Sequence, residues 1–303
     1  MKLLFHTPGH HKNTHSIQQM CTIIGWTCEF TTSDARLQVA DYDIVIMNTK
    51  YIPPEVFPSN VKIIYGPQFF IKDVRGMYGP LRAELLGKAC YNCLSPWNIE
   101  AQKEMAGEIS IPLTTFPYSV DIDKFSPDNT TPKTLDCLLY FKHRDKALLT
   151  ATQTYLQSKG FSIAVYIYGS YKEDQYLADL RRAKFMVVID AHESQGFAIE
   201  EAMTCDVPLF IMDATSMYDE VDGRGIPNWS HMRPKHLYAT SVPYWSDKCG
   251  KRFTHISELP TAFEEFYNKL EAGVFQPRDY VLETLSPIVC MRRILDYFHI
   301  ASI

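Results

Sequence analysis

The chain alternates short apolar runs with stretches in which apolar residues recur every three or four positions. Residues 2–6 read as a strand, and the segment 16–26 sets Ile17, Met20, Ile23 and Ile24 at helical spacing. Residues 28–32, 43–47, 61–65 and 89–94 read as further strands. Pro96-Trp97-Asn98 opens a second helix with Ser95 as its expected cap, and residues 109–116 follow as a strand. Strands separated by helices predict a mainly parallel, doubly wound sheet.

Ser126-Pro127-Asp128-Asn129-Thr130-Thr131-Pro132 interrupts this rhythm with linker composition. The pattern then restarts. Strands are expected over 135–141, 162–168, 185–190 and 209–212, and helices over 146–158, 174–183 and 197–204, with Gly160 as a helix stop. Residues 213–251 read as irregular and aromatic-rich. A long apolar-faced helix is expected over 278–300, interrupted near Ser286-Pro287. The fold class is therefore α/β, with domains at 1–125 and 133–277 and a C-terminal helix at 278–303.

Composition narrows the function classes. The 303 residues are 46% hydrophobic, enough for two cores, and the net charge of −5 comes without a long basic run. Nucleic acid is an unsuited partner, because phosphate neutralisation needs clustered Lys and Arg. No apolar run approaches the roughly 20 residues of a membrane span, and the N-terminal run is short for a signal peptide. Eight scattered Cys suggest a reducing, cytoplasmic setting. Cys90 and Cys93 form a C-x-x-C inside an apolar run, which reads as buried strand rather than metal or redox site. Without secretion, the sequons at Asn129 and Asn228 are expected to be idle.

The chemistry concentrates at Glu193-Ser194-Gln195-Gly196-Phe197-Ala198-Ile199-Glu200-Glu201. Val187-Val188-Ile189 is apolar without alternation, as in a strand buried on both faces. Ligands of open α/β sheets bind beyond the carboxyl ends of such strands. A helix starting near Gly196 aims N–H groups and a positive dipole end at that position, which suits a diphosphate. Glu201 lies about five residues into the helix, roughly 7–8 Å along its axis, within reach of a ribose diol. Glu193, before the turn, would face sugar hydroxyls. Spacing alone leaves a second reading open, in which both are ordinary helix-start acids. Glu200, offset by about 100°, reads as solvated.

This stretch resembles the E-x7-E signature of retaining glycosyltransferases of the two-domain GT-B architecture, particularly glycosyltransferase family 4. Glu193 and Glu201 match the two acids, Ala202-Met203 continues the run, and Val207-Pro208-Leu209 matches the next strand start. Tyr168-Gly169-Ser170 stands at the family's glycine-rich turn. Val120-Asp121-Ile122-Asp123-Lys124-Phe125-Ser126-Pro127 resembles its interdomain segment. The resemblance covers much of the second half and the linker and is weaker in the first half. The compact length would fit a virus-encoded member.

The resemblance implies two Rossmann-like domains facing across a cleft, a C-terminal helix at 278–303 crossing back to the first domain, and a nucleoside diphosphate sugar donor, GDP-mannose first and UDP-glucose second. It implies a glycan or other hydroxyl acceptor and no metal or other cofactor. Glu193 would touch the transferred hexose, Gly196 and Phe197 the diphosphate, and Glu201 the ribose. Tyr168, Gly169 and Gln195 would line the donor site. The family's Arg and Lys after the first strand of the second domain are absent in their usual form. Lys142 and Arg144 are the substitutes, with Lys146 in reserve.

In the first domain, Thr7-Pro8-Gly9-His10-His11 follows the first strand, where the resemblance implies a glycine-bearing loop facing donor and acceptor; Gly9 and His10 or His11 are the matching residues, with Gln68 lining the same region. His11 and His15 have metal-ligand spacing without a third ligand. Asp41-Tyr42-Asp43 and Asp121-Ile122-Asp123 are formal DxD motifs that read as a turn and as part of the linker. The aromatic-rich 217–245 insert suits acceptor binding or a homodimer contact equally. Two other functions fit the same residues: a nucleotide-sugar epimerase of this architecture, and a non-catalytic sugar-nucleotide binding protein.

Overall fold

The computed structural model describes residues 1–6, 9–38, 41–222, 224–228 and 237–301. Thr7 and Pro8 of the first loop, and Trp229 and Ser230 of the second sequon, lie outside these residues. The chain divides into two units, Met1–Asp121 with Thr284–Ile303, and Ile122–Glu283.

The first unit holds a six-stranded parallel sheet. Its strands are β1 (Lys2–His6), β2 (Thr27–Thr31), β3 (Ile44–Met47), β4 (Lys62–Tyr65), β5 (Ala89–Asn92) and β6 (Leu113–Thr114), in the order β2-β1-β3-β4-β5-β6. The strand expected over 109–116 shrinks to the two residues of β6. Helices α1 (His11–Ile23) and α2 (Pro96–Ala106) belong to this unit. Ser95 occupies the N-cap position of α2, but its side chain makes no capping bond. Apart from β4, only short 3₁₀ turns lie between β3 and β5, because Pro53, Pro54, Pro58, Pro67 and Pro80 deny the stretch a continuous helix. Leu4, Val45, Met47, Ile63, Tyr65 and Tyr91 fill a core on one face.

The second unit holds a five-stranded parallel sheet of order β11-β10-β9-β7-β8. The strands are β7 (Leu135–Lys142), β8 (Ile163–Ile167), β9 (Ala183–Asp190), β10 (Leu209–Met212) and β11 (Gly250–Phe253). Helices α3 (Lys146–Ser158), α4 (Glu173–Arg182) and α5 (Phe197–Thr204) provide the crossovers. β11 and α6 (Leu259–Glu271) lie outside the elements expected from the pattern. Phe263 and Phe266 of α6 pack on Phe185 and Phe210, and Phe253 stacks on Phe210 with centroids 4.6 Å apart. Gly250 (φ 147°) begins β11 so tightly against β10 that a Cβ would sit 1.8 Å from the Leu209 carbonyl oxygen.

The C-terminal helix is two helices, α7 (Pro277–Thr284) and α8 (Pro287–Tyr297), because Pro287 opens a new helix behind Ser286. Arg278 ties α7 to the second unit through the carbonyl oxygens of Ile122, Phe125 and Thr204. α8 packs on α1 of the first unit. Among the described residues, no helix is long and apolar enough to cross a membrane.

Candidate active site

In the second unit, the carboxyl ends of β7 and β9 bring Lys142 and Glu193 together as an ion pair. Adjacent parallel strands set this up: Lys142 registers with Asp190, and the Ala191 N–H donates to the Lys142 carbonyl (3.2 Å). The pair is largely buried, at 14% and 18% side-chain exposure. Lys142 Nζ also stands 4.6 Å from the ring centroid of Tyr168, at the end of β8. Burial pulls the Lys142 ammonium down, but the opposing charge of Glu193 leads the effects that reverse this, and Lys142 stays charged above its usual range.

Asp190 is the third member of this constellation, and spacing gave no sign of it. It is fully buried, with Oδ1 accepting the Ala191 N–H at 2.6 Å. Burial, then the neighbouring charge of Glu193, push its carboxyl well up, against the opposing pull of Lys142. The arrangement therefore favours a neutral Asp190 beside the contact of Lys142 with Glu193.

Arg144 is buried to 7% exposure and donates to the Asp190 carbonyl at 3.0 Å, so part of its fork is committed to the protein. Between Lys142 and Arg144, His143 adopts a left-handed backbone (φ 48°). Lys142, Arg144, Lys146 and Tyr168 line one cavity of about 300 Å³ with Phe141 and Arg224. Asp145 caps α3 by accepting the Ala147 N–H at 2.9 Å. The cavity thus combines cationic groups with an exposed aromatic face, a setting for an anionic ligand carrying a ring.

α5 starts where the sequence predicts. Gly196 precedes it with φ 95°, and a Cβ there would lie 3.3 Å from Glu193 Cβ and Cγ. Glycine at this position lets the loop carrying Glu193 close against the helix start. The first-turn N–H groups of α5 face away from the helix body, as at any helix start. Glu201 is buried to 2%. Glu200, expected to be solvated, is buried to 1% and accepts from Gln195 Nε2 at 2.9 Å. The reason is that α5 is buried nearly all round, so neighbouring positions on the helix share one dry environment. Gln195 accordingly spends its amide on Glu200. Gly169 forms an open turn after Tyr168, with nothing near a built Cβ.

The segment after β10 contributes groups without any local motif. Glu220 stands 2.9 Å from His192 Nε2 and 3.3 Å from His143 Nδ1, the chain neighbours of Glu193 and Lys142. The Val221 N–H donates to the His143 carbonyl (2.9 Å). Glu220 and Val221, from the region expected to be irregular, thus brace the loops that carry the ion pair.

In the first unit, Gly9 and Gln68 meet: Gln68 Oε1 lies 2.3 Å from where a Cβ on Gly9 would be, and Asn48 Nδ2 at 3.1 Å. Asn48 is fully buried and accepts from the Tyr118 hydroxyl at 3.1 Å. His10 instead caps α1, its Nδ1 accepting the Lys12 N–H at 3.2 Å. His15 pairs with Asp121 (2.7 Å), and Asp43 accepts the Lys2 N–H, so these motif residues have internal partners. Cys90 and Cys93 are buried thiols at β5. Among the described residues, no group of three or more His, Cys, Asp or Glu is placed to hold a metal ion.

No protein-family model and no curated protein sequence matches the chain. Solved structures do. Sucrose-phosphate synthase from Thermosynechococcus elongatus is similar at a TM-score of 0.57 and 12% identity, over 99% of this chain and 98% of that one. The glycosyltransferase WaaG, of lipopolysaccharide biosynthesis, is similar at 0.54 and 9%, over 98% and 99%. The lipopolysaccharide outer core galactosyltransferase WaaB is similar at 0.52 and 13%, over 99% of each chain. Identities this low speak to the fold alone: two Rossmann-like α/β units, the architecture of the GT-B glycosyltransferases.

Proposed function

We propose that the protein is a retaining glycosyltransferase that moves a hexosyl group from a nucleoside diphosphate sugar to an acceptor hydroxyl. The observation that supports this most is the grouping at the carboxyl end of one sheet. A Lys142–Glu193 pair, a glycine-led helix start and a buried Glu201 follow the carboxyl ends of β7 and β9, and Lys142 also lines a cavity with Arg144 and Lys146. In this reading Glu201 accepts hydrogen bonds from the ribose diol. The start of α5 and the cavity cations hold the diphosphate, and Glu193 orients the sugar hydroxyls.

The chemistry follows from those assignments. The bond between the anomeric carbon and the diphosphate oxygen breaks as the acceptor oxygen approaches the same face. The acceptor proton passes to the departing diphosphate. Lys142 and its neighbours stabilise the negative charge that develops there, an effect worth on the order of 3 kcal/mol for a single well-aimed donor. Mannose is the first expected sugar and glucose the second, and Gly9 and Gln68 belong to the acceptor side. No residue is assigned to a metal.

Titration calorimetry with GDP-mannose, UDP-glucose and their 2′-deoxyribose analogues tests the assignment. At least one ribonucleotide sugar should bind, and its deoxy analogue should bind about tenfold less tightly, the worth of a charge-assisted hydrogen bond. Glu201→Gln should erase most of that difference. Equal affinity for both forms in the native protein would sink the ribose assignment. Absence of binding by any nucleotide sugar would sink the function.

A further inference from the structure

The loop from Asp190 to Glu193 leaves the sheet, so its backbone must be held by something other than strand pairing. The segment Thr240-Ser241 holds both ends. The Glu193 N–H donates to the Thr240 carbonyl at 3.0 Å. Ser241 Oγ donates to the Asp190 carbonyl at 2.9 Å and accepts the Ala214 N–H at 3.0 Å. That segment is itself irregular and nearly buried, with Thr240 at 5% and Ser241 at 0% exposure.

What fixes Thr240 and Ser241 is one carboxylate. Asp213, immediately after β10, accepts from Thr240 Oγ1 (2.8 Å), the Ser241 N–H (2.8 Å) and Arg252 of β11 (3.3 Å). The Val242 N–H completes the turn by donating to Thr240 Oγ1 at 3.1 Å. Asp213 is 10% exposed and lies outside the residues assigned to substrate. A charged acceptor that collects several donors in a nearly dry setting makes stronger bonds than a neutral one. Its geometry is therefore transmitted through two residues to the backbone of Glu193.

We propose that Asp213 is a positioning residue for Glu193: through Thr240 and Ser241 it sets where that carboxylate stands. The proposal rests on the donor-site reading above and adds a residue that touches no part of the donor. A shift of about 1 Å at a group that orients the reacting sugar costs about 100-fold in rate. The nucleoside diphosphate, which does not meet Glu193, should be bound as before.

The experiment uses the full chain with GDP, UDP, GDP-mannose and UDP-glucose. It measures nucleoside diphosphate affinity, and kcat and KM for donor hydrolysis. Asp213→Ala should lower kcat about 100-fold, with affinity for the nucleoside diphosphate changed less than about twofold. Ser241→Ala, which removes one hydroxyl only, should lower kcat in the same direction by about tenfold and serves where the Asp213 variant does not fold. In a Glu193→Gln background both substitutions should lose most of their effect, since the group they position is already disabled. Undiminished effects in that background, or nucleoside diphosphate affinity falling in step with kcat, overturn the positioning role. Unchanged kcat in both variants overturns it too. Failure of the native chain to bind any of the four probes overturns the underlying donor-site reading instead, and is separable because it appears before any substitution is made.

Discussion

Replacing Lys142 with Met keeps the length of the side chain and removes its charge. Glu193, 18% exposed, then keeps its carboxylate without its cation, and the buried Asp190 loses the charge that pulls its carboxyl down. Removing one partner of a buried pair costs about 3–5 kcal/mol, against at most about 1 kcal/mol for a solvent-screened pair. The Lys142 environment, at 14% exposure, belongs to the first class. The sign with pH follows from linkage. Without Lys142 the Asp190 carboxyl, already held well up by burial and by Glu193, is pushed further above its unfolded value. The folded state then binds more protons, and stability falls as pH rises through the raised range. The deficit of Lys142→Met against the native chain should therefore be full near pH 7.5. It should shrink as the pH is lowered toward the ordinary carboxylate range. Equilibrium urea unfolding at pH 7.5 and 5.5 measures this, and Lys142→Met with Glu193→Gln should recover most of the loss. A deficit below about 1 kcal/mol at pH 7.5, or one that does not change with pH, would refute the reasoning.

Two further predictions concern the scaffold of the second unit. Gly250→Ala drives a methyl group into the Leu209 carbonyl oxygen, so it should break the β10–β11 pairing and cost about 4 kcal/mol or prevent folding, read by urea midpoint. Phe210→Ala opens a hole where Phe253, Phe263 and Phe266 meet, and should cost about 3–5 kcal/mol by the same measurement, with the m-value unchanged.

Much of the second unit was legible because its strands and helices are signalled locally. The apolar run at 209–212 and the helix at 197–204 stand where periodicity and the glycine before them put them. The apolar positions Leu259, Ala262, Phe263 and Phe266 of α6 also carry helical spacing, so that element was readable in principle. β11 was not: Lys251 and Arg252 occupy the middle of an edge strand, and nothing in Gly-Lys-Arg-Phe announces parallel pairing. In the candidate site, Glu193 and Lys142 could be named from sequence, but their ion pair could not, since it depends on β7 and β9 being neighbours. Asp190, Asp213 and Glu220 were silent for the same reason. Each acts across tens of residues, and only the fold brings its partners into reach. Glu200 misled because solvent exposure was inferred from one helix, whereas burial is decided by what packs around it.

The eight cysteines give the protein a built-in clock for its own opening. None is in a disulfide; Cys28 is half-buried and the other seven are buried. Cys21, Cys28, Cys90, Cys93 and Cys290 lie in the first unit, and Cys137, Cys205 and Cys249 in the second. A thiol reagent reaches a buried sulfur only when the surrounding structure opens, so the labelling rate at each position reports a local free energy of opening. Mass spectrometry of a timed alkylation would thus separate the breathing of the two units without any engineered probe. The same residues chosen for their packing become reporters of how long that packing lasts.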